Sequence, residues 1–98
     1  KEDFEKSKKD WVHILDDLSK LWKKEALADS SEVQKIIRRH YEWLKKYWTP
    51  DCASYAGMGE GYTGFEWKDV FKQYDPEHPK FAQFFAEGIK IFAQKELA

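Results

Sequence analysis

From Val33 to Trp48 one set of side chains recurs three and four residues apart. Val33, Ile36, Ile37, His40, Tyr41, Leu44, Tyr47 and Trp48 form a single stripe, and Lys35, Arg38, Arg39, Lys45 and Lys46 take the other side. That is the 3.6-residue period of an amphipathic helix. No convincing period-2 run of β-branched residues occurs anywhere in the chain, so the fold class reads as all-α. Ninety-eight residues supply one domain, and 42% hydrophobic content is too apolar for a disordered chain despite 36% charge.

The same period places the other helices. Trp11, Ile14, Leu15, Leu18, Leu21 and Trp22 share a face in a first segment running from about Phe4 to Ala28. Residues 1–10 are nearly all charged, which reads as a flexible end or the remnant of a preceding linker helix. Ser30 or Ser31 caps the second helix, and Ser31 with Gln34 reads as a capping box. Pro50 predicts that this helix stops at Trp48. Thr49 as N-cap and Pro50 as first helical residue then open a third, short helix. Its Gly57, Gly59 and Gly61 weaken it by about 1 kcal/mol each, so they serve close backbone approach or motion. Phe65 to Tyr74 reads as a fourth helix and Asp75 to Pro79 as a turn. A last helix runs from Pro79 to about Lys95, with Phe81, Phe84, Phe85, Gly88 and Phe92 on one face. The sum is a single domain of about five helices.

Charge and cysteine usage exclude several functions. Lys plus Arg is 17 and Asp plus Glu is 18, so the chain carries no basic footprint for nucleic acid or an anionic membrane. Residues 50–98 hold 5 basic and 8 acidic groups, which argues against base stacking in a basic channel. A single cysteine gives no intramolecular disulfide, and a reducing cytoplasm is the simplest setting. No apolar run approaches the ~20 residues that span a bilayer. The start, Lys1-Glu2-Asp3, is not a signal peptide and lacks an initiator Met, so the chain is expected to be a piece of a longer protein.

Three features could carry chemistry. Cys52, near the start of the third helix, would sit beside unpaired backbone N–H groups that favour a thiolate, or be an inert apolar filler. His40, on the apolar stripe, is either half of a nucleophile pair with Cys52 or a hydrogen-bonded core histidine. His13, His40, His78 and Cys52 have no spacing that resembles a metal site, and no cofactor motif is present. The third feature is aromatic. Thirteen of the chain's 17 rings fall between Tyr41 and Phe85, and Tyr41, Trp43, Trp48, Tyr55, Tyr62, Phe65 and Trp67 surround the glycine-rich segment. They are core, or they line a ligand cleft.

The order and separation of several motifs resemble one family. These are His40-Tyr41-Glu42-Trp43-Leu44, Trp48-Thr49-Pro50, Tyr55-Ala56-Gly57-Met58-Gly59-Glu60-Gly61-Tyr62, and Tyr74-Asp75 followed by His78-Pro79-Lys80-Phe81-Ala82-Gln83-Phe84-Phe85 and Gly88-Ile89. From Ser31 to Phe92 the chain resembles the TipAS antibiotic-recognition domain. The resemblance implies a globin-like helical fold. It implies the effector-binding domain of a MerR-type transcriptional activator, not an enzyme, and a cleft that takes thiopeptides or other bulky drugs. DNA binding and dimerisation would belong to an N-terminal winged helix and coiled coil of the full-length protein, with no membrane involved. Cleft residues would be His40, Trp43, Trp48, Tyr55, Met58 and Tyr62. Some members capture thiopeptide dehydroalanines covalently through a cysteine at the start of the third helix, a role that falls to Cys52. Counted back from Tyr62, Cys52 stands one position late, about 100° of helix rotation, with Asp51 in the usual place. Met58 replaces the usual Leu, and Thr63 to Asp69 is about two residues longer than the common pattern. The alternative function is a helical module whose aromatic groove binds a partner helix.

Overall fold

The computed structural model describes residues 2–77 and 79–98, with residues 2–4 followed as backbone only. Helix α1 is Glu2–Lys23, α2 is Ser31–Leu44, α3 is Cys52–Gly61, α4 is Lys68–Phe71 and α5 is Lys80–Phe92. A 3-10 turn, Phe65–Trp67, precedes α4, and a π-helical turn, Ala93–Leu97, follows α5. The chain is all-α among the described residues, as the periodicity requires. Lys1 and His78, the latter part of the expected turn, lie outside them.

The ends of α1 and α2 differ from the sequence expectation for identifiable reasons. Helix α1 already begins at Glu2 and stops at Lys23, not Ala28. Glu25 adopts a left-handed φ of 61°. Its N–H bonds the carbonyl of Trp22, and the N–H of Ala26 bonds that of Leu21, so the last turn closes in a Schellman motif. Ser30 caps α2 by accepting from the N–H of Val33. Gln34 forms no capping box. Its amide donates instead to the carbonyls of Ala28 at 2.9 Å and Gly88 at 3.1 Å, tying α2 to α5. Helix α2 ends at Leu44, one turn before Trp48. Tyr47 and Trp48 return their N–H groups to Leu44 in a tightening turn and are 59% and 45% exposed. Pro50 forbids helix only at its neighbour; the chain has already unwound.

Helix α3 also starts later than expected. Asp51, not Thr49, is the N-cap, and its carboxylate accepts from the N–H of Ser54 at 2.8 Å. A carboxylate at a helix N-terminus gains from the macrodipole as well as the hydrogen bond. That bond also holds the Asp51 carboxyl below its ordinary pKa. Cys52 is therefore the first helical residue. The segment expected as one helix from Phe65 to Tyr74 is split into the 3-10 turn and α4, with a further turn to Tyr74. Pro79 has no side-chain cap to offer α5; buried Asp75 substitutes, accepting from the N–H of Phe81 at 2.9 Å.

Ile14, Leu15 and Leu18 of α1, the stripe of α2 as far as Leu44, Tyr55 of α3, and Phe81, Phe85, Ile89 and Phe92 of α5 fill one core. Helix α5 lies against α3 and α2, and α1 lies against α2. Two glycines permit the close approach. A Cβ on Gly59 would stand 3.1 Å from Ile89, and one on Gly88 would stand 3.1 Å from Ile37.

Candidate functional site

His40 sits at the centre of the aromatic region and is fully buried. Its Nδ1 lies 2.8 Å from the Tyr55 hydroxyl, and its Nε2 lies 3.2 Å from the Tyr62 hydroxyl. Tyr55 donates its one hydroxyl proton to the carbonyl of Ile37 at 3.3 Å. That assigns the tautomer: Nδ1–H donates to Tyr55, and Nε2 accepts from Tyr62. Burial lowers the His40 pKa to about 3, so the ring is neutral, and burial pushes both phenols up. A buried neutral ring with both nitrogens engaged cannot serve Cys52 as a base.

Above His40 the rings open to the surface. Trp11 of α1 stacks on Trp43 of α2, with centroids 5.3 Å apart and planes at 30°. Tyr47 meets Trp43 edge-on at 5.9 Å, and Trp67 meets Tyr62 edge-on at 4.7 Å. The indole N–H of Trp43 donates to the Ser7 carbonyl at 2.9 Å, and the Ser7 and Tyr47 hydroxyls hydrogen-bond to each other. These bonds clamp α1 over the end of α2. Between them runs a groove of about 520 Å³, lined by Ser7, Lys8, Trp11, Trp43, Tyr47, Tyr62, Trp67 and Val70. Five of those eight residues are aromatic, and ligand sites are mostly apolar and aromatic with few polar groups.

A second depression, of about 460 Å³, lies along α1 and α2 and is lined largely by charged residues. Its Arg39 pairs with Asp17 at 2.7 Å and its Lys46 with Asp10 at 3.6 Å. Those half-exposed pairs are a solvated charged face. Among the described residues no three His, Cys, Asp or Glu side chains come together to hold a metal. None of the described helices is long and apolar enough to cross a membrane.

The model of the TipAS antibiotic-recognition domain matches residues 1–92. The chain belongs to the TipAS family. Across 98 aligned residues it is also 30% identical to "HTH-type transcriptional regulator SkgA" of Caulobacter vibrioides, in strains NA1000 / CB15N and ATCC 19089 / CIP 103742 / CB 15 alike. That alignment covers 89% of this chain and 37% of each relative, so this TipAS domain spans well under half their length. No solved structure matches it.

The structure distributes the residues expected in the cleft over three settings. Trp43 and Tyr62 line the groove of this TipAS domain. His40 and Tyr55 lie beneath it as a fully buried layer, so they shape the floor without facing the opening. Trp48, Met58 and Cys52 do not line this groove. Trp48 is half-exposed beyond the end of α2, whereas Met58 and Cys52 are half-buried on α3. Cys52 and Tyr62 stand at opposite ends of α3, about 15 Å apart along the axis. Ser7, Lys8 and Val70 line the groove without any signal in the sequence, and Trp11 and Tyr47 join it from the apolar faces on which the periodicity sets them. One local signal pointed to Tyr47: it lies four residues after Trp43, on the same helical ridge.

Proposed function

We propose that this TipAS domain is the ligand-sensing domain of a transcriptional regulator. It holds an antibiotic-like molecule, a thiopeptide or another bulky drug, in the aromatic groove. The observation that carries the reading is the groove itself: five rings around about 520 Å³, in a chain of an antibiotic-recognition family. A molecule larger than this volume would seat one flat part between the rings and leave the rest over the rim. The name of the Caulobacter relative supports the link to transcription. DNA contact is assigned to residues outside this segment, whose charges nearly cancel, and the regulator acts in the cytoplasm.

Coupling follows from what builds the walls. Ser7, Lys8 and Trp11 come from α1, whereas Trp43 comes from the end of α2 and Tyr47 from the turn that follows it. A ligand that binds better when these walls are closed shifts α1 toward the closed position. Titration of the domain with a thiopeptide, followed by backbone and indole NMR signals, tests the reading. Shifts are expected at residues 7–11, 43–47 and 62–70. Silence at these positions would sink it for that ligand class. At 100 times Kd the bound drug should add about 2.7 kcal/mol of stability. A helical peptide that displaces the drug at equal affinity would favour a protein-interaction module instead.

A further inference from the structure

We infer, building on that reading, that the groove selects flat aromatic ligands bearing a negative charge, with Lys8 as their counter-ion. The polar tips of the wall rings are largely committed to the protein. The Trp43 indole N–H is bonded to the Ser7 carbonyl, the Tyr47 hydroxyl to the Ser7 hydroxyl, and the Tyr62 hydroxyl to His40. The opening therefore offers ring faces and edges. Planar surfaces of this kind favour a planar aromatic partner in offset or edge contact.

Charge decides between ligands of that shape. Lys8 is the one charged residue lining the groove among the described residues, and no carboxylate joins it there. It is exposed and makes no ion pair among the described residues, whereas Lys46 is paired with Asp10 and Arg39 with Asp17. Glu5, one turn before Lys8, lines a separate depression with Lys8, Lys9, Val12 and His13. Aromatic faces alone attract cations. Here a cation would meet the Lys8 ammonium with no lining acid to offset it. A sulfonate or carboxylate on the ligand would reach the flexible Lys8 stem while its rings lie against Trp11 and Trp43.

The test uses two probes with the same rings: anilinonaphthalene sulfonate and its neutral parent, phenylnaphthylamine. Their dissociation constants come from quenching of tryptophan emission. The sulfonate is expected to bind about five-fold more tightly, the ratio that an exposed ion pair of about 1 kcal/mol supplies. Lys8→Gln should bring the ratio near one, Lys8→Glu should invert it, and Lys9→Gln should leave it unchanged. Tyr47→Ala, which trims an exposed wall, should weaken both probes alike. Equal binding of the two probes to the parent protein, or a ratio indifferent to Lys8→Gln, overturns the charge selection while the aromatic groove stands. Failure of both probes to bind overturns the groove reading as well.

Discussion

The Nε2 of His40 accepts the hydroxyl proton of Tyr62 at 3.2 Å, so a buried imidazole sets the orientation of a ring that lines the groove. His40→Phe keeps the bulk and removes both polar contacts. It leaves the buried Tyr62 hydroxyl without this acceptor, and Tyr55 with only the Ile37 carbonyl. Urea unfolding is expected to show a loss of about 1–3 kcal/mol. Tyr62→Phe, which keeps the ring, should lose less of the groove's ligand affinity than of the domain's stability. A His40→Phe protein as stable as its parent would show that the relay does not order the floor.

The same histidine makes the fold acid-sensitive. Its folded pKa is about 3 because burial disfavours the charged ring, against an ordinary value of 6.5. Between those values the unfolded chain binds a proton that the folded chain refuses. Stability is thus complete above pH 6.5 and declines as pH falls toward 3, by about 1.4 kcal/mol per unit. Denaturation midpoints at pH 7, 6, 5 and 4 measure the slope. His40→Phe should flatten it, and an unchanged slope in that variant would assign the acid sensitivity to other groups.

Glu25 is the one non-glycine residue at positive φ among those described, and it occupies the position after α1 where glycine is favoured. Glycine reaches this conformation without the Cβ contact that costs other residues about 1 kcal/mol or more. Glu25→Gly is therefore expected to raise the unfolding free energy by about 1 kcal/mol. Glu25→Ala serves as the control, because it removes the charge while keeping the strain. Equal gains from both would trace the effect to charge.

What could be read from the sequence divides by the range of the interaction that decides it. The stripe of Val33, Ile36, Ile37, His40 and Tyr41 is a local pattern, and the structure buries all five. Helix ends depend on competition between neighbours: Asp51 outcompetes Thr49 as a cap, and α2 unwinds at Leu44 before Pro50 is reached. The groove depends on contacts distant in sequence. Trp11 and Trp43 are separated by 32 positions and stack only because α1 packs on α2. Nothing local distinguishes Tyr55, which is fully buried, from Tyr62, which reaches the groove floor; both share the α3 segment and both bond His40. The TipAS motifs carry the family assignment, yet of the residues they point to only Trp43 and Tyr62 line this groove.

Two glycines on different helices should respond oppositely to the same substitution. Alanine in a helix is favoured over glycine by about 1 kcal/mol. At Gly57 a Cβ would meet nothing within 4 Å, so Gly57→Ala should gain most of that amount. At Gly88 a Cβ would stand 3.1 Å from two carbons of Ile37, a residue with no exposed surface to yield into. Overpacking of about 1–3 kcal/mol outweighs the propensity there, and Gly88→Ala should lose stability. Thermal melts of the two variants decide the matter. A gain at both positions would mean that α5 stands off α2 farther than the structure places it.

Cys52 gives the sharpest separation between groove binding and covalent capture. Addition of its thiolate to an electrophilic alkene needs the sulfur within bonding reach of the bound ligand. Cys52 begins α3, while Tyr62 follows the other end, about 15 Å away along the axis. A ligand seated between Trp11, Trp43 and Trp67 therefore leaves the thiol out of contact. Cys52→Ser is expected to leave the affinity for a groove ligand unchanged within about two-fold, or ~0.4 kcal/mol. Intact mass after incubation with a dehydroalanine-bearing thiopeptide should show the unmodified chain. An adduct that disappears in Cys52→Ser would move the site to the start of α3, and Trp43→Ala would then leave the extent of modification unaffected.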